Sequence, residues 1–415
     1  MPSISTGVLG STAAKVAVAV AFLAIGGVAA AQMGVLNGVV GQDDTAAIDQ
    51  VPDGVDSVAT LDASVLEDDV SARLYATAYN ATVGATVGGS ASETTETTPT
   101  TETATPSEDE DETDGFDEEP RTATSPAEMI PANLSAALDK TENETGLDPR
   151  AAEEVAFFNK QRENYTQPRY AGAIVHADWT ESAVVAAASN SSDTEYVNTT
   201  IDGVTVYKPV QNQTEEDEVS FGPPEPEEWI AVLDDGQYAF GTQQAVNDTI
   251  EVYAGDANPV DGDLRTAYDE TRNGYIRYAQ RSQNVNVTRI NQTMGQQTGL
   301  NVTAYAQAYN DLHVTAGSYY ISEDKLGFES RILTNSTETA RDVADITQGF
   351  ISIQAGAIQN ETLETQLRST NVTQDGTTVT VSRETPVDTA AKLIRWYGSI
   401  LTGGQTGSAA AQPTV

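Results

Sequence analysis

From residue 56 onward, the apolar positions switch between a two-residue and a 3.6-residue rhythm. Asp56–Ala63 (DSVATLDA) sets Val58 and Thr60 opposite Ala59 and Leu61, which predicts a short strand, and the four-residue spacing of Val70, Leu74 and Ala78 predicts a helix. Asp148 before Pro149 supplies an N-cap and a first-turn proline, and Ala152, Val155 and Phe158 give the helix expected there an apolar face. Tyr170–Trp179 reads as a strand and Glu181–Ser189 as a short helix. Asp-Gly pairs predict three hairpins. Asp202-Gly203 joins Thr199–Ile201 to Val204–Tyr207, and Asp235-Gly236 joins Trp229–Leu233 to Tyr238–Phe240. Asp375-Gly376 is expected to pair Val372 with Val379. A helix opening at Thr242 carries Val246, Ile250 and Tyr253, a second covers Leu264–Tyr268, and a strand comes next at Tyr275–Ala279.

Ser318–Leu333 predicts paired strands turning at Glu323–Asp324, with Leu326, Phe328 and Ile332 on one face. Asn335 and Glu338 have capping-box spacing, ahead of a helix whose buried stripe is expected to be Ala340, Val343, Ile346, Phe350 and Ile353. Leu363 and Leu367 mark a short helix, and Thr385, Pro386 and Asp388 open the last one, with Ala391, Ile394 and Tyr397 inward. Strand, helix and Asp-Gly hairpin thus recur near 170–207 and 326–382. Hairpins between helices, without a βαβαβ rhythm, predict an α+β fold: antiparallel sheets with helices packed on one face, in two pseudo-repeats.

Two segments stand outside this grammar. Val16–Ala31 (VAVAVAFLAIGGVAAA) is unbroken, small and apolar, with Lys15 before it. It reads either as a cleaved export signal, with Ala29 and Ala31 before Gln32, or as a retained membrane anchor. Residues 84–126 are rich in Thr, Glu, Pro and Ser, hold almost no large apolar side chain, and are expected to be disordered. The expected organisation is a signal or anchor at 1–41, a first strand and helix at 48–83, the acidic insertion at 84–126, and a main α+β region at 127–402. That region has halves 127–282 and 283–402, with a disordered tail after it at 403–415. Because structure precedes the acidic segment, it reads as an insertion inside a domain.

Charge sharpens the picture. The chain has 62 Asp plus Glu against 21 Lys plus Arg, a net charge of −41, and only six lysines. Ordinary phosphate-backbone binding is excluded, since nucleic acid needs a basic footprint. The absence of cysteine excludes disulfides, thiol nucleophiles and thiolate metal sites. Acid excess with scarce lysine suits high salt, where self-repulsion is screened.

Fourteen of the twenty asparagines lie in N-x-S/T: Asn80, Asn133, Asn143, Asn164, Asn190, Asn198, Asn212, Asn247, Asn286, Asn291, Asn301, Asn335, Asn360 and Asn371. Composition alone predicts about four, so these are candidate N-glycosylation sites of an exported chain.

The N-terminal apolar segment, the helix opening TGLDPRAAEEV, DDGQYAFGTQQAVNDTI and the loop GDANPVDGDLRTAY together resemble uncharacterised haloarchaeal membrane-anchored or secreted surface proteins. The resemblance implies tandem α+β repeats behind one N-terminal helix. The Thr/Glu insertion departs from that pattern.

Candidate chemistry is sparse. His176 sits in a predicted strand two residues from Asp178 and is expected on the strand surface; His313 lies in a Tyr/Ala-rich stretch. Neither has a nucleophile elbow, an H-E-x-x-H motif or a phosphate loop beside it. Asp256, Asn258, Asp261 and Asp263 could hold a cation or simply form a turn, and the acidic run from Asp109 lacks EF-hand spacing. Tyr305, Tyr309, Tyr319 and Tyr320 could line a groove or pack in the fold. No catalytic residue, metal or cofactor is assigned. The expectation is a non-catalytic extracytoplasmic cell-envelope glycoprotein with a structural, adhesive or binding role. Its partners would be the membrane and other envelope components, not nucleic acid. The alternatives are a secreted salt-adapted hydrolase and a carrier for an apolar envelope ligand.

Overall fold

The computed structural model describes residues 46–87, 131, 133–161, 169–192, 194–210, 228–282, 310–358 and 360–401. The strands are β1 (Ser57–Asp62), β2 (Ala152–Lys160), β3 (Tyr170–Ala177), β4 (Tyr196–Ile201), β5 (Val204–Pro209) and β6 (Trp229–Asp234). They continue with β7 (Gln237–Gly241), β8 (Ile276–Arg281), β9 (Leu312–Ser322), β10 (Lys325–Thr334), β11 (Asn371–Asp375) and β12 (Thr378–Pro386). The helices are α1 (Asp69–Val87), α2 (Leu134–Thr145), α3 (Glu181–Ser192), α4 (Gln243–Ala254), α5 (Gly262–Asp269), α6 (Thr337–Ala357), α7 (Glu361–Arg368) and α8 (Val387–Leu401). All twelve strands form one antiparallel sheet, ordered β11-β12-β10-β9-β8-β1-β2-β3-β7-β6-β5-β4.

The α+β class is as the pattern predicts. The early segment holds the middle of the sheet: β1 pairs with β2 on one side and β8 on the other. Val58, Ala59, Thr60 and Leu61 are all buried, so β1 is covered on both faces. Residues 88–130 therefore interrupt one continuous sheet in the chain.

The helices take both faces, not the single face expected. Neighbouring strand residues point to opposite sides, and Ile174 and Val175 on β3 are both buried. Val175 belongs to a cluster with Leu134 and Leu138 of α2 and Val184 and Ala188 of α3. Ile174 belongs to another, with Ile48 of a 3-10 turn (Ala47–Gln50), Ala245 of α4 and Leu264 of α5. Strands with apolar residues at successive positions demand cover on each side. A third cluster joins α1 to α8, with Val70, Leu74 and Ala78 against Val387, Ala390 and Ile394.

Four local expectations are corrected. Residues 152–160 form a strand, not a helix. Asp148 caps only a single 3-10 turn, Pro149–Ala151, accepting the N–H of Arg150. Beyond it Ala156 and Phe158 join the cluster on one face, and Val155 joins that on the other; this is a period of two. The third hairpin sets Val372 opposite Val381, because its loop is Gly376-Thr377 and Asp375 pairs with Thr378. Gly376 carries the positive φ of 55° that the turn requires. The cap of α6 is Ser336, one residue later than expected, accepting the N–H of Thr339 at 3.1 Å. Finally, Ala340 and Val343 of α6 are buried against Val379 of β12, but Phe350 and Ile353 are 54% and 60% exposed.

The two strand–helix–hairpin units dock differently. β12 returns directly beside β10, whereas β7 and β6 separate β3 from β5. Tyr397, expected inward on α8, has its side chain outside the described residues, as do 1–45 and the acidic run from Asp109.

Candidate functional site

One row of polar side chains crosses four adjacent strands on the face covered by the 3-10 turn. The register sets Asp62 opposite Glu154, Glu154 opposite His176, and His176 opposite Gln237. Glu154 and His176 are both buried. The Glu154 carboxylate accepts the N–H of Ala47 at 2.7 Å, and the Gln50 amide donates to the Gln237 amide oxygen at 2.9 Å. The turn is thereby sealed onto the row. Beside it the Thr60 and Tyr268 hydroxyls are bonded at 2.6 Å. Arg277 lies over the Tyr268 ring, 4.1 Å from its centroid, and donates to the Tyr268 carbonyl.

Burial decides the electrostatics. Loss of water pushes the Glu154 carboxyl up to about 7; Asp49 and Asp62 add to the rise, while the Ala47 N–H and Arg277 oppose it. Burial lowers His176, with Glu153 opposing. Nε2 of His176 and Oε1 of Gln50 are buried with no hydrogen-bond partner. An acid poised near neutrality and a neutral imidazole are groups of the acid–base kind, but the 3-10 turn lies over them, so the arrangement holds a segment in place.

Sequence reasoning missed Glu154, because a helical reading of 152–158 gave it no face. A period-two reading would have set it in line with Ala156 and Phe158. His176, expected on the strand surface, is buried instead. Asp178 is not its partner: it lies beyond the end of β3, exposed, with its N–H donating to the Ala151 carbonyl. His313 is half-exposed and pairs through Nε2 with Asp263 at 2.6 Å, linking β9 to α5.

Of the four candidate residues Asp256, Asn258, Asp261 and Asp263, the last is engaged by His313. Among the described residues no three His, Asp or Glu converge as metal ligands. A surface depression of about 400 Å³ is lined by Pro52, Asp53, Asp248, Glu251, Ala257 and Asn258. Asp248 accepts from the Tyr170 hydroxyl at 2.8 Å and lies 3.8 Å from Lys160. Tyr319 and Tyr320 do not share a groove. As neighbours on β9 they face opposite ways, Tyr319 against Phe328 and Tyr320 against Arg272. Tyr305 and Tyr309 lie outside the described residues.

Nine sequon asparagines are described. Asn80, Asn133, Asn143, Asn190, Asn198, Asn335 and Asn371 are exposed. Asn133 and Asn360 are also N-caps, of α2 and α7. Asn247, inside α4, has its side-chain oxygen buried, and Thr249 of the same sequon is fully buried. Asn164, Asn212, Asn286, Asn291 and Asn301 lie outside the described residues. Among the described residues no helix is long and apolar enough to cross a membrane.

No family model matches the chain, and no curated protein matches it either. Among solved structures it is similar to TP0453. Crystal form III has a TM-score of 0.39 and 8% identity, covering 86% of this chain and 99% of that one. Crystal form I has a TM-score of 0.35 at the same identity, covering 86% and 100%. Likeness at this level carries no argument about activity.

Proposed function

We propose that the protein is a non-catalytic, N-glycosylated cell-envelope protein of a salt-rich habitat, held or exported through its N-terminal apolar run, with a structural, adhesive or binding role. The observation that carries this reading is the exposure of the sequons. Seven of the nine described sequon asparagines face solvent, spread over α1, α3, the start and body of α2, the edge strands β4 and β11, and the β10–α6 turn. Glycosylation needs an accessible sequon, and that of Asn247 is the least accessible of the nine: the asparagine is half-buried with its side-chain oxygen covered, and Thr249 is fully buried. The charge of −41 supports the salt-rich part of the reading.

Intact-mass and glycopeptide analysis of protein from its native cells tests it. The expected result is glycans on several of the seven exposed asparagines and none on Asn247. A mass equal to the bare polypeptide, or recovery in the cytosolic fraction, overturns the reading. The same spectrum separates signal from anchor, since a peptide starting at Gln32 marks cleavage and one spanning Ala31–Gln32 marks retention.

A further inference from the structure

Among the described residues the sheet is open, and its two edges are β4 and β11. An exposed edge offers backbone N–H and C=O groups to any strand that meets it, and proteins commonly blunt it with lysine, proline or a bulge. Neither edge strand carries these devices. β4 (YVNTTI) contains no charged residue and no proline, and β11 (NVTQD) has charge only at Asp375, beside its turn. Each pairs with its neighbour without a register shift. The Glu195 carbonyl accepts the Val210 N–H. In the alternating antiparallel ladder Val197, Thr199 and Ile201 therefore bond to β5, while Asn198 and Thr200 turn their backbone groups outward. Val197 also leaves an apolar side chain 44% exposed on this strand. On β11 the closing pair Asp375 and Thr378 leaves Val372 and Gln374 outward by the same alternation.

Both edges do carry a sequon. Of the nine described sequon asparagines, Asn198 and Asn371 are the two inside strands, and their strands are the two edges of the twelve. The N-x-T spacing equals the strand's period of two, so the asparagine and the hydroxyl share a face. Asn198 and Thr200 are both exposed, and so are Asn371 and Thr373. We propose that N-glycans at Asn198 and Asn371 seal the two sheet edges against pairing with the edge of a second copy of the chain. This rests on the glycosylation reading above and adds what these two glycans do. Charge is a poor guard in the salt that the composition suits, because the Debye length at 1 M is about 3 Å, shorter than the spacing of about 4.8 Å between paired strands. A glycan excludes a strand by its bulk, which salt does not screen.

Glycopeptide mass spectrometry and sedimentation velocity in molar salt, on full-length protein made in its native cells, test this. The expected result is glycan at both positions in wild type. Asn198→Gln and Asn371→Gln should each sediment as a larger species than wild type at the same concentration, growing as concentration rises. Asn80→Gln combined with Asn143→Gln, which removes two exposed helical sequons, should sediment as wild type. Thr200→Pro also destroys the β4 sequon, but it removes an outward N–H and so blocks the edge; it should not associate. An unchanged circular dichroism spectrum shows that each variant keeps the fold, and the two Asn→Gln results stand without the proline. Glycans found elsewhere but absent from Asn198 and Asn371 overturn this proposal and leave the glycosylation reading intact, whereas a chain without glycan anywhere overturns both. Asn→Gln variants that sediment as wild type overturn it too, as does association that survives Thr200→Pro.

Discussion

The carboxylate of Glu154 accepts the backbone N–H of Ala47 at 2.7 Å inside the fold, tying two residues 107 positions apart. Burial holds this group's pKa near 7, against 4.5 for an ordinary glutamate. Between those values the unfolded chain releases the proton while the folded chain keeps it. Stability therefore falls as pH rises from about 4.5 to about 7 and is flat beyond, a loss of at most about 3 kcal/mol from this group. Urea unfolding of wild type and Glu154→Gln across this range should show the wild-type curve declining relative to the variant. Parallel curves would refute the linkage.

His176 works in the opposite direction. Its folded pKa is lowered by burial, so the unfolded chain protonates first as pH drops below about 6.5. Stability is lost from there down through the folded pKa. His176→Gln should flatten that acid limb, read as the difference in unfolding midpoint between wild type and variant.

Gly327 pairs across the sheet with Tyr320, and a Cβ there would come within 2.0 Å of the tyrosine ring. The ring cannot easily retreat, since the Arg272 guanidinium lies 3.7 Å from its centroid and Tyr320 is buried. Gly327→Ala should cost about 1–3 kcal/mol by overpacking. Gly349→Ala, on an exposed helix with open space, should stabilise by about 1 kcal/mol. Equal and small effects at both sites in chemical denaturation would contradict this geometry.

A protease site engineered between residues 88 and 130 tests the place of β1. The strand is buried between β2 and β8, and α1 is tied to α8 by the Arg73–Asp388 pair at 2.8 Å and by the apolar cluster beneath it. The cut chain should elute as one particle and separate only in denaturant. Two separate peaks in native buffer would mean that the early segment is not part of the sheet.

Unglycosylated chain should lose ellipticity as salt falls below about 0.5–1 M, because repulsion among 62 acids against 21 bases spreads as screening weakens. A core equally stable in dilute buffer would remove the salt-adapted part of the functional reading.

Where a signal is local, the sequence alone was enough to read it. The Asp202-Gly203 turn was legible because both residues take positive φ, 48° and 86°, which aspartate tolerates and glycine favours. The helix at Val70, Leu74 and Ala78, the strand at 57–62 and the α+β class were legible from spacing in the same way. Asp148-Pro149 misled because a cap announces only the first turn, and the conformation of the next residues depends on their partners. Residues 152–160 became a strand because β1 and β3 were there to pair with them.

By itself, the sequence determined the acidity, the absence of thiol chemistry, the sequon excess and most of the hairpins and helices, since each depends on composition or on neighbours a few positions away. Only the tertiary structure decided that β1 is the centre of the sheet and that His176 is buried. It also decided that Glu154 faces a turn 107 residues earlier, and that Phe350 and Ile353 point into solvent. Each of those depends on which distant strand or helix arrives to cover a face. A period of two or 3.6 specifies that a face exists but not what meets it.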